Sequence, residues 1–393
     1  MKKEFLNGTG QIVNARIVLS DSVLDGATCR FSNGIIEYIG KEALPSAPTV
    51  DAEGGYLMPG FIDTHCHGGA GYDFMDASPE EMLKIADFHL SHGTTTLVAT
   101  TMTDRMDAIT SALDRFAELG EDRGTLHGVH LEGPWLNPLQ CGAQDTAKMA
   151  LPNKDAMLSL LEKYPFIEKI SAAPEMDGGM ELGRIGADRG VVMSIAHTDA
   201  DFDQTVLAAD NGYSLVTHLY SGMRGVTRIN AFRVAGCVEG ALFDDRLTCE
   251  LIADGCHLPL NLLRYIYKVK GADRICLVTD AMRGAGSKDG EEVILGRLDD
   301  GVRCIVEDGV AKLPDRQSFA GSVATTDRLM RVMHEGAGVD IVSVSKMLSG
   351  TPAALMGYTD RGRIERGLRA DLIIVDKKLN INKIFLKGEQ KTW

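Results

Sequence analysis

Seven histidine and acidic residues lie just after apolar runs of the sequence or at their ends, and these residue types suit a metal-assisted hydrolysis. They are His65, His67, Glu132, His197, His218, His257 and Asp280. The spacing of two between His65 and His67 is the side-chain period of a strand, so both imidazoles face one side. An HxH pair alone is weak evidence for a metal, but Glu132, His197 and His218 add donors of the kind that binds Zn²⁺ or Fe²⁺. The combined pattern predicts a divalent-metal site.

Asp280 is the remaining carboxylate of this set. A bound metal brings the pKa of a neighbouring water to near 7, so a carboxylate is a sufficient base to take a proton from that water. The alternative is a helix N-cap, because Asp often precedes a helix. The Ala-Met-Arg-Gly that follows Asp280 is a poor helix start, which favours the base.

Eight apolar, strand-like runs alternate with mostly helical segments in the middle of the chain. The runs are MPGFIDTH, TTTLVATT, LHGVHLE, KISAAPE, GVVMSIAH, SLVTHL, LTCELIAD and ICLVTD. This alternation predicts a parallel sheet covered on both faces, and eight such units over roughly 300 residues have the size of a (β/α)8 TIM-like barrel. An open doubly wound sheet is the alternative. Polar residues after many of the strands favour the barrel, where active-site residues collect at the carboxyl ends of the strands.

Both ends of the chain have the pattern of short strands with turns. QIVNARIVLS and ATCRFSNGIIEYIG lie near the start, and GRIERGLRADLIIVD and INKIFLKGE lie near the end. We therefore expect an α/β protein with a small β-sandwich domain built from residues 1–56 and 357–393. Residues 57–356 are expected to form the hydrolase barrel.

The charge balance of the chain restricts its partners. The 393 residues include 41 basic and 55 acidic side chains, for a formal net charge of −14. This balance argues against nucleic acid and anionic membranes, which need clustered Lys and Arg. No run approaches the roughly 20 apolar residues of a membrane span, and no apolar core follows the first lysines, so a signal peptide is not expected. The eight cysteines lack CxxC spacing, which indicates free thiols in a reducing cytoplasm.

Other features allow more than one interpretation. His89 and His92 lie in a helix and at its end, so capping or surface roles are expected. His130 alternates with Glu132 and either supports it or is an ordinary buried, hydrogen-bonded histidine. The segment from roughly Gly284 to Gln317 has a hairpin-like pattern and is either a lid over the site or a surface excursion.

Seven motifs in order resemble the N-acetylglucosamine-6-phosphate deacetylases of the amidohydrolase superfamily. They are PGFIDTHCHG, HLEGPW, AHTDA, THLYSGM, IADGCH, LVTDAM and FAGS. The resemblance implies a metal held by Glu132, His197 and His218. Some family members hold a second metal through the HxH pair, with the glutamate bridging, so one or two ions per subunit are expected. It also implies that Asp280 acts as general base and then as general acid.

The resemblance extends to the substrate. His257 matches the family's sugar-contacting histidine, and Arg233 in NAFRVAG falls near its phosphate-binding arginine. The family's Asn-Ala, which offers backbone N–H groups to the phosphate, is Ser221-Gly222 here. Gln144 stands where many members have a histidine, and it can donate a hydrogen bond but cannot be charged. In the family a neighbouring subunit can contribute to the phosphate site, so a homodimer is expected.

The leading hypothesis is therefore a cytoplasmic, metal-dependent enzyme that deacetylates N-acetylglucosamine 6-phosphate in amino-sugar catabolism. One alternative keeps the reaction and changes the sugar, for example to N-acetylgalactosamine 6-phosphate. A second is another hydrolase of the superfamily, acting on a cyclic amide or a different N-acyl amine. Many cyclic-amide members have a modified bridging lysine on the fourth strand, where KISAAPE has Lys169 only at its start. A third is a catalytically silent sugar-phosphate sensor, which has no need for a base at Asp280.

Overall fold

Eight parallel strands form the centre of the molecule, and they coincide with the eight apolar runs. In the computed structural model, which describes residues 8–121 and 123–392, neighbouring strands of this sheet follow one another in chain order. They are β6 (Phe61–Cys66), β9 (Thr94–Thr101), β10 (Leu126–Glu132), β11 (Ile167–Ala172), β12 (Val192–Ile195), β13 (Tyr213–Val216), β16 (Thr248–Leu251) and β17 (Ile275–Leu277). Every residue of Thr94–Thr101 is buried, as expected for a strand covered on both faces.

The sheet curves until its two edge strands meet. The Asp280 N–H donates to the His65 carbonyl at 2.8 Å, and the His67 N–H donates to the Ala281 carbonyl at 2.8 Å. These bonds connect the end of the eighth strand to the first. The predicted (β/α)8 barrel is thus confirmed, and the open doubly wound sheet is wrong.

Helices cover the outside of the barrel. They are α1 (Pro79–Ser91), α2 (Met106–Glu118), α3 (Lys154–Lys163), α4 (Gly179–Asp188), α5 (Phe202–Asp210), α6 (Cys237–Phe243), α7 (Leu260–Lys270), α8 (Thr326–Arg331), α9 (Ile341–Ser345) and α10 (Thr351–Leu355). The start of α1 shows how the sequence begins a helix. Ser78 and Glu81 form a reciprocal capping box, and Pro79 occupies the first helical position. Within the described residues, no helix combines the length and apolar character needed to cross a membrane.

A second sheet combines the two ends of the chain, as expected for the small β-sandwich. Its strands are β1 (Gly10–Val18), β2 (Val23–Ser32), β3 (Ile35–Gly40), β4 (Thr49–Asp51), β5 (Tyr56–Pro59), β21 (Leu372–Val375), β22 (Ile381–Leu386) and β23 (Glu389–Lys391). The first half of β1 pairs with β4 and its second half with β5, so the sheet divides there. A separate apolar cluster that includes Ile17, Phe31, Leu57, Leu372 and Phe385 fills this layer.

Three smaller sheets lie outside the two large sheets. They are β7 (Gly68–Gly69) with β8 (Tyr72–Asp73), β14 (Thr227–Ile229) with β15 (Phe232–Val234), and β18 (Glu292–Leu295) with β19 (Val302–Glu307) and β20 (Val310–Lys312). The last of these contains the segment predicted as a hairpin-like insertion. Arg283 anchors it, because its guanidinium donates to the carbonyls of Ile294 and Gly296 and to the carboxylate of Asp76.

Candidate active site

The sequence-predicted polar residues lie at the carboxyl ends of the barrel strands. His197 and His218 each follow the last residue of a strand by two positions, and Asp280 follows β17 by three. All three have a positive φ, at 42°, 27° and 47° respectively. A non-glycine residue in this region costs of order 1–3 kcal/mol and persists where the surrounding structure enforces it. These positions have a backbone that turns their side chains into the barrel mouth at a cost in stability.

Glu132, the last residue of β10, lies at the centre of the site. Its Oε1 is 2.9 Å from His218 Nε2 and 3.3 Å from His197 Nε2, and its Oε2 is 3.3 Å from His67 Nε2. All four side chains are buried. One carboxylate therefore contacts imidazoles from three other strand ends.

The HxH pair meets both Glu132 and Asp280. His65 Nε2 lies 3.2 Å from His67 Nε2, and Asp280 Oδ1 lies 3.5 Å and 3.3 Å from these two nitrogens. Two groups of ligand atoms result, one from His65, His67 and Glu132 and one from Glu132, His197 and His218, and within each group the atoms lie within 4.8 Å of one another. Glu132 belongs to both groups, so the geometry suits one ion or two.

The charges of these groups depend on their contacts. Burial lowers the pKa of His67 and His218, but hydrogen bonds with Asp280 and Glu132 outweigh it and raise their pKa values to about 10 and about 9. Burial raises the pKa of Asp280, but the nearby His65 and His67 outweigh it and lower this pKa to about 2. Glu132 and Asp280 are thus ionised, and in the metal-free protein protonated His67 and His218 carry the positive charge that balances them. A divalent cation would supply that charge, so the donor set fits a metal.

The far nitrogens of the imidazoles are held in place by the protein. The Nδ1 atom of His197 lies 2.8 Å from the Gln140 carbonyl, and that of His218 lies 3.2 Å from the Ser221 carbonyl. Such contacts fix the tautomer and leave Nε2 free for a ligand. Gly222 packs against the His197 ring, and a Cβ there would lie only 2.6 Å from His197 Nδ1. Glycine at 222 therefore allows this close approach of the turn to the His197 ring.

A cavity of about 210 Å³ opens in front of these side chains. Nine sequence-predicted residues line it: His67, Glu132, Gln144, His197, His218, Ser221, Gly222, His257 and Asp280. His65 lies behind His67 and is fully buried. The N–H of Ser221 donates to the His218 carbonyl at 2.9 Å, so this N–H is already engaged within the turn. Apolar walls come from residues that the sequence analysis did not single out: Met102, Ala143, Ile252, Leu295 and Phe319.

His257 is oriented toward the cavity by a buried carboxylate. Its Nδ1 lies 2.8 Å from Asp254 Oδ2, and the N–H groups of Cys256 and His257 donate to Asp254 Oδ1. The ring of Phe319 lies against His257 at a centroid distance of 4.7 Å. With Nδ1 engaged, Nε2 is the nitrogen available to a ligand.

Arg233 does not line the cavity of its own chain. It lies on β15 of an exposed hairpin, where its cross-strand partner is Arg228. Like charges directly opposite one another destabilise a hairpin unless an anion or an acidic partner lies near them. The tip also exposes apolar side chains, with Ile229 at 51% and Phe232 at 77% exposure.

The predictions for His89 and His130 have different outcomes. The prediction for His89 is wrong, since its ring is fully buried and its Nε2 lies 2.9 Å from the Gly68 carbonyl. The face of α1 that holds His89 turns toward the barrel rather than toward solvent. His130 contacts Thr100 and Ser171 instead of Glu132, as a buried, hydrogen-bonded histidine does.

The sequence matches a known protein family. The model described as the amidohydrolase family matches residues 56–391, which is most of the chain. The chain belongs to this family. Amidohydrolases typically depend on divalent metals, and the two ligand groups around Glu132 are suited to that dependence.

Named amidohydrolase relatives are similar over most of their length. An N-acetylglucosamine-6-phosphate deacetylase from Lysinibacillus sphaericus is 34% identical over 86% of this chain and 86% of its own. An N-acetylgalactosamine-6-phosphate deacetylase from Escherichia coli O157:H7 is 31% identical over 95% of this chain and 97% of its own. A Mycobacterium smegmatis deacetylase mutant solved in complex with N-acetyl-D-glucosamine 6-phosphate superposes with a TM-score of 0.90 at 28% identity, covering 97% of this chain and 99% of that one.

Proposed function

We propose that this protein hydrolyses the N-acetyl group of N-acetylglucosamine 6-phosphate and releases glucosamine 6-phosphate and acetate. The observation that carries the proposal is the convergence of Glu132, three imidazoles and Asp280 on one cavity, with the His65 imidazole behind them. The similarity to N-acetylglucosamine-6-phosphate deacetylases supports this choice of reaction and substrate.

We assign the metal to Glu132, His197 and His218, with His65 and His67 as ligands of a second ion. Nitrogen and oxygen donors of this kind suit Zn²⁺ or Fe²⁺. When bound, the ion polarises the acetyl carbonyl and lowers the pKa of an adjacent water.

Asp280 is proposed to move the proton. Its Oδ1 lies beside His65 and His67 at the floor of the cavity, where it accepts a proton as the water oxygen bonds to the acetyl carbon. The carbon–nitrogen bond then breaks, and Asp280 returns the proton to the amine that leaves. Acetate and the amino sugar are the products, and the carboxylate is regenerated.

The phosphorylated sugar is proposed to bind at the outer part of the cavity. His257 would contact the sugar and its phosphate through Nε2, with Ser221 and Gly222 beside it. Gln144 lies nearer the metal ligands, where its amide can donate to the reacting carbonyl oxygen.

We propose a cytoplasmic homodimer in which Arg233 reaches the phosphate of the partner subunit's substrate. The exposed apolar tip at Ile229 and Phe232 supports an interface at this hairpin. Arg228 and Arg233 lie opposite one another on the hairpin, and this pair of positive charges supports the binding of an anion at the hairpin.

The division of the chain is proposed as residues 1–56 and 357–393 for the small β domain and 57–356 for the barrel. Two separate apolar clusters support two units. Strand β5, which pairs with β1 and β21, is then the element that leads from the small sheet into the barrel.

Acetate release tests the function directly. The purified protein, loaded with Zn²⁺ or Fe²⁺, is incubated with the 6-phosphates of N-acetylglucosamine and N-acetylgalactosamine and with unphosphorylated N-acetylglucosamine. We expect stoichiometric acetate and free amine, the highest kcat/KM for N-acetylglucosamine 6-phosphate, and loss of activity with a chelator. Binding without acetate release would instead indicate a sensor, and a preference for the galactosamine substrate would change the sugar.

A further inference from the structure

A charged pair lies inside the barrel beneath the metal-ligand groups. Lys169 on β11 and Glu250 on β16 are both fully buried. Lys169 Nζ donates to Glu250 Oε1 and, at 3.0 Å, to the Thr64 carbonyl. Burial of two charges costs desolvation free energy that their attraction often only offsets, and an apolar pair of similar volume is frequently as stable. Stability alone therefore does not account for this pair.

Glu250 contacts a metal-ligand candidate through its other oxygen. Its Oε2 lies 3.0 Å from Nδ1 of His65, and its Oε1 accepts from the Thr64 hydroxyl at 3.3 Å. Its ion pair with the Lys169 ammonium keeps Glu250 in the carboxylate form. An ionised carboxylate can only accept, so His65 must place its proton on Nδ1. The unprotonated nitrogen is then Nε2, which faces Glu132, His67 and Asp280.

The other candidate ligands are held differently. His197 and His218 direct Nδ1 to backbone carbonyls, which no side-chain substitution removes. Nδ1 of His67 is buried and has no hydrogen-bond partner among residues 8–121 and 123–392. Of the two imidazoles in the HxH group, His65 is thus the one whose Nδ1 contacts a side chain. That side chain lies on a strand far from His65 in sequence.

We propose that Glu250 is a positioning residue, locked in place by Lys169, which fixes Nε2 of His65 as a ligand for a second divalent ion shared with His67 and Glu132. The inference rests on the metal dependence in the proposed function and not on its substrate. Lys169 also becomes unavailable as a bridging ligand, because its ammonium is committed to Glu250 and Thr64.

Two double variants separate this role from simple stability. Lys169→Met with Glu250→Gln and Lys169→Met with Glu250→Leu both remove the buried ion pair and leave no net charge. Gln can still accept from His65 Nδ1, whereas Leu cannot. The metal-free proteins are titrated with Zn²⁺ alone by equilibrium dialysis, with bound metal measured by mass spectrometry and folding followed by circular dichroism.

The wild type and the Gln variant are expected to bind two ions. The Leu variant should bind the second ion about 10- to 100-fold more weakly and the first ion as before. A wild type that binds one ion, or a Leu variant that weakens both ions equally or neither, would overturn the proposal. Because the titration contains no substrate, its result does not depend on the deacetylase function. If the protein binds two ions in this pattern but releases no acetate in the separate assay, only the deacetylase function is contradicted.

The wild-type protein offers a measurement that does not depend on the folding of a variant. With ¹⁵N-labelled histidine in the metal-free protein at neutral pH, the ring-nitrogen shifts report the tautomer, and a His65→Gln sample assigns the signal. A proton on Nδ1 of His65 is expected. A proton on Nε2 would refute the proposed role of Glu250.

Discussion

Gln144 Nε2 lies 2.8 Å from Oε2 of Glu132, the carboxylate shared by both ligand groups. The same nitrogen lies 3.2 Å from His197 Nε2, and the Thr103 N–H donates to Gln144 Oε1. If His197 binds a metal ion, its Nε2 offers a lone pair to that ion, and the Gln144 amide would no longer contact this imidazole. A neutral donor would then face the cavity beside the candidate metal ligands.

Replacement of Gln144 tests this donor. Gln144→Ala should lower kcat/KM about 10- to 100-fold, because a hydrogen bond to a group of developing charge contributes about 1.5–3 kcal/mol. The metal content should stay unchanged. Gln140→Ala is the matched control, since its side chain bonds Asp199 and its backbone carbonyl still holds His197. Equal effects of the two substitutions would refute a role for Gln144 in the reaction.

Asp280→Asn should abolish proton transfer and leave the architecture intact. Asn tolerates the left-handed backbone that Asp280 adopts at φ 47°, and the backbone bonds to His65 and from Ser322 do not involve the side chain. We expect kcat to fall about 10²- to 10⁴-fold with metal content retained. The measurements are acetate release and metal analysis, with exposed Asp21→Asn as control. Wild-type turnover in the variant would eliminate Asp280 as the acid and base.

His257→Ala should act on phosphorylated substrates. A contact to a charged phosphate contributes about 1.5–3 kcal/mol, so KM for N-acetylglucosamine 6-phosphate should rise about 10- to 100-fold with a small change in kcat. The unphosphorylated sugar is the internal control and should be affected little. If both substrates lose kcat/KM to the same extent, His257 contacts a part of the sugar that they share.

Much of the barrel and its mouth could be predicted from the sequence because both follow from local patterns. Parallel strands buried on both faces appear as unbroken apolar runs, and a polar residue at the end of such a run must lie at the barrel mouth. The partnership of Lys169 and Glu250 could not be predicted, since 81 positions separate them and only barrel closure brings them together. The visible signal was a charge in each of two apolar runs, with Lys169 at the start of KISAAPE and Glu250 within LTCELIAD.

The positions of His89 and Arg233 in the fold could not be predicted from the sequence pattern. His89 lies on a helix whose inward face the sequence did not identify, so its burial was missed. Arg233 matches a family motif only loosely, and its direction depends on a hairpin that leaves the barrel. Its distance from the cavity of its own chain depends on the tertiary fold, which spacing alone does not determine.

The burial of His89 predicts a pH-dependent stability. Burial lowers the pKa of His89 from 6.5 to about 4. Between these two pH values His89 is protonated in the unfolded chain but neutral in the folded protein. This contribution to stability is complete above pH 6.5 and is lost as pH falls toward 4, by at most about 3 kcal/mol. His89→Gln, which can keep the bond to Gly68, should flatten the loss of unfolding free energy over this range. Urea unfolding measures it, and partly buried His334→Gln is the control; parallel curves for wild type and His89→Gln would contradict the assignment.

Subunit mixing tests whether Arg233 acts across an interface. Arg233→Ala alone should raise KM for the phosphorylated substrate about 10- to 100-fold, and Asp280→Asn alone should be inactive. In a mixed dimer, the subunit with Arg233→Ala keeps its own Asp280 and receives Arg233 from its partner. Co-expression of the two variants should therefore restore about a quarter of the wild-type sites, measured at low substrate concentration. If Arg233 served its own subunit, no mixed dimer would contain an intact site, and the mixture would show only the activity of the Arg233→Ala chains.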